Sequence, residues 1–230
     1  RFMGRTTIVL SGESMHVTGR RANGTPIDAT IPMPKDGVIW IGNDPSGTCP
    51  GYDPVNPYAA PATCGDVWLR GSYARSLTIA AENDIVIQGS VRASGNARPL
   101  LGLISNNFIR VYHPVKNLQR NDQYGTYSCQ NDNPPGEIWI DPAILSLNHS
   151  FTVDHYYCGS ALGQLHVYGA IAQKYRGPVG TGSGGSPSTG YIKDYTYNDD
   201  LRFRSPPRFL DPIQTTWRLL SAVEQVPPAR

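Results

Sequence analysis

The stretch LTIAAENDIVIQGSV, Leu77 to Val91, holds three short apolar bursts: Leu77/Ile79, Ile85/Ile87 and Val91. Ala81, Glu82, Asn83 and Asp84 separate the first two, and Gly89 separates the last. A hairpin would alternate for longer on each side of its turn, and a helix would place apolar residues three and four apart. Repeated stopping and restarting fits a parallel β-helix, in which coils of two or three short strands stack about 4.8 Å apart. Residues pointing into the coil must be apolar. Corners need small residues or ones that tolerate left-handed backbone, a role that suits Asn83-Asp84, Gly89, Gly95 and Asn106-Asn107. The Asn106-Asn107 pair further suggests stacked side-chain amides at a bend.

The same rhythm runs outward in both directions. TTIVL, SMHVTG, TPIDATIPMP and DGVIWIGN precede the quoted stretch, and LLGLISN, NFIRVYH, GEIWIDPAILSL, SFTVDH and GQLHVYGAIAQ follow it. Each reads as a strand of roughly three to six residues with Gly, Asn, Asp or Ser at the break. With 24 Gly and 20 Pro against 3 Met in 230 residues, many turns are expected and long helices are not. The fold class read from this pattern is all-β, a parallel β-helix. The alternative is an antiparallel β-sandwich, but hairpin signals occur only at Asn23-Gly24 and Asp36-Gly37, where a small antiparallel lid is expected.

Three segments are expected along the chain. Residues 1–65 form N-terminal β coils with a disulfide-bracketed Pro-rich loop, residues 66–175 form the main β-helix, and residues 176–230 hold the rest. Within that last segment, RGPVGTGSGGSPSTG reads as a flexible Gly/Ser loop and YIKDYTYNDDLRFRSPPRFL as an edge strand or long hairpin. A C-terminal α-helix is then expected, with Asp211 as N-cap, Pro212 in the first turn, Ile213, Trp217 and Leu220 on one face, and Pro227-Pro228 beyond it. It would cap an open coil end.

Formal net charge is +2 and the 20 basic residues are scattered, so nucleic acid and anionic membranes are not expected partners. No run approaches the ~18 apolar residues of a membrane span, and no membrane contact is expected. A chain opening on Arg1 reads as a processed or truncated product. Cys49, Cys64, Cys129 and Cys158 lack CxxC and zinc-finger spacing. Two disulfides fit better: Cys49–Cys64 clips the Pro-rich PGYDPVNPYAAPAT, and Cys129–Cys158 pairs by default. Disulfides place the protein in an oxidising, extracellular or cell-surface compartment.

No motif carries chemistry outright. GTGSGGSPSTG lacks the Lys of a phosphate cradle, and GESMH does not make a nucleophile elbow. His149, Asp154 and His155 are the best metal candidates, but strand alternation sends Asp154 and His155 to opposite faces, and a corner and a surface histidine explain them. Asp84, Asp141, Asp154, Asp199 and Asp200 are eligible as paired acids for glycoside cleavage, and turn formation accounts for most of them. Tyr191, Tyr195 and Tyr197 alternate along one strand and form the candidate ligand or partner face, or else a packing surface beneath the terminal helix. No catalytic residue, metal ligand or cofactor is expected.

The runs CGDVWLRGSYARSLTIAAENDIVIQGSV, LLGLISNNFIRVYHPV, ILSLNHSFTVDHY, LGQLHVYGAIAQKYRGPVGT and LRFRSPPRFLDPIQTTWRL together resemble uncharacterised exported proteins of high-GC Gram-positive bacteria. In that family similar segments form an ectodomain behind a prepilin-like hydrophobic helix, often alongside type IV pilus components. The resemblance spans most of residues 64–220, but the hydrophobic helix is not in this sequence. It implies a β-helical ectodomain in the envelope with a structural or adhesive role at a pilus-like assembly, and as partners other envelope or pilus proteins or a second copy. The alternative from a different class is a polysaccharide-binding or polysaccharide-cleaving protein that uses the side of the coil.

Overall fold

Alternating apolar residues make the strands, and their register builds three walls. The structure, a computed structural model, describes residues 1–53, 58, 60–120, 127–183 and 186–209. Its strands are β1 (Phe2–Gly12), β2 (Ser14–Arg21), β3 (Pro26–Pro32), β4 (Val38–Gly42), β5 (Val67–Tyr73), β6 (Leu77–Ala81), β7 (Ile85–Ala93), β8 (Leu101–Ser105) and β9 (Ile109–Val111). They continue as β10 (Val115–Arg120), β11 (Tyr127–Asn131), β12 (Ile138–Ile140), β13 (Ala143–Ser146), β14 (Phe151–Val153), β15 (Ala161–Gln173), β16 (Gly180–Ser183) and β17 (Ser186–Tyr197). A short 3-10 turn at Asp199–Arg202 is the helical element among the described residues.

Most pairing is parallel and falls into three ladders. The first joins β4, β6, β8, β13 and the second half of β15. The second joins β1, β5, β7, β9 and β14. The third takes the far ends of β1, β5 and β7 and continues through β12, the first half of β15, and β17. Because β1, β5, β7 and β15 belong to more than one ladder, the sheet closes on itself. The all-β, parallel expectation holds, and a sandwich of hairpins is excluded by this pairing.

Register turns alternation into columns. In the second ladder Val67, Ile85, Ile109 and Phe151 stand in line, beside Ile8, Leu69, Ile87, Val111 and Val153. In the first, Ile39, Ile79, Leu103, Ile144 and Ile171 do the same, and all but Ile171 are fully buried. Each such side chain contributes about 1.5–3 kcal/mol by leaving water. The bursts at Leu77/Ile79 and Ile85/Ile87 are therefore successive sides of one circuit, and Asn83-Asp84 is the corner between them.

The corners behave as their residue types require. Asn107 donates its side-chain amide to Asn83 at 2.5 Å, and Asn148 donates to Asn106 at 2.9 Å, so two amide ladders climb one bend. β5 bends at Gly71, which has φ 110° and lies so close to the Leu10 carbonyl that a Cβ would collide with it. GEIWIDPAILSL, read above as one strand, is divided at Asp141-Pro142 into β12 and β13, because proline ends the ladder there.

The ends differ from the walls. β1, β2 and β3 form the expected antiparallel meander, with Asn23-Gly24 in the turn before β3. β10 and β11 form a separate antiparallel ribbon. The Gly/Ser run is not a loop throughout: β16 pairs antiparallel with β17, and the hydroxyls of Thr181 and Thr189 meet at 2.6 Å. Gly180 and Gly190 permit this, since a Cβ on either would strike the facing backbone. Pairing of β1 with β5 and of β15 with β17 crosses both segment boundaries drawn from the sequence. Residues 204–209 lie outside the first ladder, where Thr78 donates to the Pro207 carbonyl and Phe209 sits against Gly102. The helix expected from Asp211, with Ile213, Trp217 and Leu220, lies outside the described residues.

Candidate functional site

The outward column of the second ladder is Trp68, Val86, Arg110 and Thr152. Arg110 sits between Ile109 and Val111, both inward, so alternation alone sends its side chain out. Three carboxylates from the corners gather near it. Asp84 accepts from Arg110 Nε at 3.0 Å and Asp154 from a terminal guanidinium nitrogen at 2.5 Å. Asp66 accepts from the Asn83 amide at 2.6 Å and from the Asp84 N–H at 3.2 Å. The Asp154 backbone carbonyl meets His113 Nδ1 at 3.0 Å, and His113 Nε2 meets Asn131 Oδ1 at the same distance.

A cover seals this cluster from solvent. The ring of Tyr58 lies 5.5 Å from the guanidinium carbon of Arg110, and its hydroxyl accepts from the His155 N–H. Tyr52 packs against Phe108 and His149, which are themselves stacked 4.4 Å apart. The side chains of Arg110, Asp84 and Asp154 are only 4%, 6% and 3% exposed. A cavity of about 150 Å³ remains under the tyrosines, with Arg110 in its wall. Both expected disulfides form beside the cluster: Cys49–Cys64 closes the covering loop next to Asp66, and Cys129–Cys158 ties β11 to the turn after Asp154.

Three acids share one guanidinium, and their protonation reflects that. Burial pushes Asp154 up to about 7 against the pull of Arg110, and the Asp84 charge adds to the rise. Burial, then Asp84, pushes Asp66 up to about 6. Asp154 Oδ1 and Asp66 Oδ2 are buried with no hydrogen-bond partner, which is consistent with protons held inside the cluster. The geometry holds the corners of four circuits together. It leaves no acid facing an open cleft.

The third ladder carries a partly exposed counterpart. Trp139, His166 and Asp194 are neighbours in register and point outward. Trp139 and His166 stack at 4.5 Å. His166 Nδ1 meets Asp194 at 2.5 Å and Nε2 meets Glu137 at 2.9 Å. The hydrogen bond to Glu137 raises the imidazole pKa, Asp194 adds to it, and partial burial opposes both. Both carboxylates are thus engaged by one ring.

The candidate tyrosines share one side of β17 but not one environment. Tyr191 is buried and donates its hydroxyl to the Pro135 carbonyl at 2.7 Å. Tyr195, beside Phe151 at the end of the inward columns, and Tyr197, beside Arg202, are both exposed. All three follow Gly190, and alternation holds through them: they pair with Gly163, Val167 and Gly169 in unbroken register, and they differ in what covers them. Of the five eligible acids, Asp84 and Asp154 come together. Asp141 instead accepts from the Ala93 N–H at 2.9 Å, and Asp199 and Asp200 lie in the 3-10 turn. His155 is half-buried, not a surface residue, with φ 43° and its Nδ1 on the His113 carbonyl. No group of three metal-ligating residues converges among the described residues.

Asp66, Arg110 and His113 were not singled out from sequence. The available signal was one acidic residue just before an inward strand, at Asp66-Val67 and Asp84-Ile85, facing a cation at an outward strand position. Compared with protein-family models, curated proteins and solved structures, the chain matches none. Among the described residues no helix is long and apolar enough to cross a membrane.

Proposed function

We propose that this chain is a parallel β-helix serving as a non-enzymatic structural or adhesive module of the cell envelope, exported and associated with a pilus-like assembly. The observation that carries the reading is the sealed Asp66/Asp84/Arg110/Asp154 cluster. Its acids are spent on joining successive circuits, and both disulfides lock its cover in place. In-register apolar columns and amide ladders support the coil itself. Two disulfides favour an oxidising compartment. The resemblance to exported proteins with prepilin-like helices supplies the pilus association. Immunogold labelling of intact cells tests it: label on filaments or the cell surface is expected. Label released freely into the medium, together with breakdown of polysaccharide, overturns it.

A second reading, polysaccharide binding or cleavage, rests on the partly exposed row of Trp139, His166 and Asp194 with Glu137 beside it. Glycoside cleavage needs two carboxyls with separate tasks across the bond. Here both are tied to one imidazole, so the row favours binding over turnover. Incubation with acidic and neutral polysaccharides, followed by reducing-end assay, separates the two outcomes.

A further inference from the structure

The inward columns change character in the last circuit. Ile138 and Leu165 are followed in register by Lys193, and Ile140 and Val167 by Tyr195. In the first ladder, Ser105 and Ser146 are followed by Gln173. Gln173 is fixed in place, since its carbonyl oxygen accepts from the Phe151 N–H at 2.8 Å. Above these residues opens a cavity of about 400 Å³, floored by Phe151 and Ile171 and walled by Tyr195, Lys193 and Arg176. That volume falls within the range of small-molecule sites.

The cavity is cationic without compensation. Among the described residues no carboxylate lines it, and neither Lys193 nor Arg176 forms an ion pair. Burial lowers the Lys193 pKa and the Arg176 charge lowers it further, so two like charges bear on one space. An anion placed between them relieves that repulsion and gains charge-assisted hydrogen bonds. Phe151, Ile171 and the Tyr195 ring offer nothing to a bare ion, but they match the apolar face of a ring.

We infer that the end of the last circuit is a binding site for a small ring bearing a carboxylate, with Lys193 and Arg176 holding the carboxylate and Tyr195 packing on the ring. Acidic sugars and aromatic acids share this chemistry. The site does not depend on the structural role proposed above.

Isothermal titration of the full chain tests the site, with sodium glucuronate and sodium benzoate each set beside an uncharged counterpart, glucose and benzyl alcohol. Saturable binding of at least one carboxylate is expected, with its counterpart at least about tenfold weaker. Glucuronate alone marks an acidic-sugar site and benzoate alone an aromatic-acid site. Lys193→Gln and Arg176→Gln should each weaken binding about tenfold, by loss of one charge-assisted hydrogen bond. Binding should also weaken at a lower pH than an ordinary lysine would dictate, as Lys193 loses its proton. These side chains are exposed, so circular dichroism of the variants should match the parent. Absence of saturable binding, equal binding of the uncharged counterparts, or unchanged affinity in the Lys193→Gln/Arg176→Gln double variant overturns the assignment.

Discussion

The outer columns of the second and third ladders are built by the same rule and end in opposite states. Both place one outward side chain per circuit: Trp68, Val86, Arg110 and Thr152 on one wall, and Trp139, His166 and Asp194 on the other. On the second wall a disulfide-closed loop covers the column, so desolvation dominates and the acids are pushed upward. Among the described residues, no such loop covers the column on the third wall. There, hydrogen bonds to carboxylates dominate and the histidine is pushed upward instead. What stands over a ladder, more than the ladder itself, decides whether its charges hold the fold or face solvent.

Removing the central cation puts that contrast under the greatest strain. Arg110→Ala leaves Asp84 and Asp154 buried without their partner and should cost about 3–5 kcal/mol in urea denaturation. A loss below about 1 kcal/mol would mean the cluster is not sealed. Opening the cover by Cys49→Ser/Cys64→Ser should cost about 3 kcal/mol, the loop-closure value for a 15-residue separation. It should also let solvent quench Tyr58. If the Arg110→Ala loss is unchanged in that background, the loop is not what desolvates the cluster.

The third test is pH. Burial holds the folded Asp154 and Asp66 carboxyls up at about 7 and about 6, above the ordinary aspartate range, so the folded state binds more protons than the unfolded state in between. Their contribution is fully present below about pH 4 and is lost as pH rises toward 7. Asp154→Asn should flatten that fall in a series of thermal melts. The smallest effect belongs to the open wall. His166→Ala should change stability by less than about 1 kcal/mol, as for other exposed ion pairs, and a larger loss would make that row a second structural cluster.

Much of this was legible in residues 77–91, because burst length and corner residues are local properties. Asn106-Asn107 announced its amide ladder for the same reason, and the bracketing of a Pro-rich loop gave both cysteine pairs. The Arg110 cluster was not legible. Its members, Asp66, Asp84, Arg110 and Asp154, are distant in sequence and meet only through the stacking of circuits, so Asp84 and Asp154 looked like turn formers and Asp66 drew no reading at all. Alternation placed Tyr191, Tyr195 and Tyr197 on one side of β17 but could not give their burial: Tyr191 is covered, whereas Tyr195 and Tyr197 stay exposed where the inward columns end.

The antiparallel meander at β1–β3 bears on how the chain assembles. Its pairings, from Ser11 with Ser14 to Phe2 with Arg21, close short loops, whereas Thr6 must wait for Val67. Short closures cost less entropy and form sooner. In pulse-labelled hydrogen exchange, protection at Val17 should therefore precede protection at Ile109. The meander then serves as a template onto which the later sides are laid in turn, so an error in β2 or β3 would propagate as delayed maturation of walls it never touches.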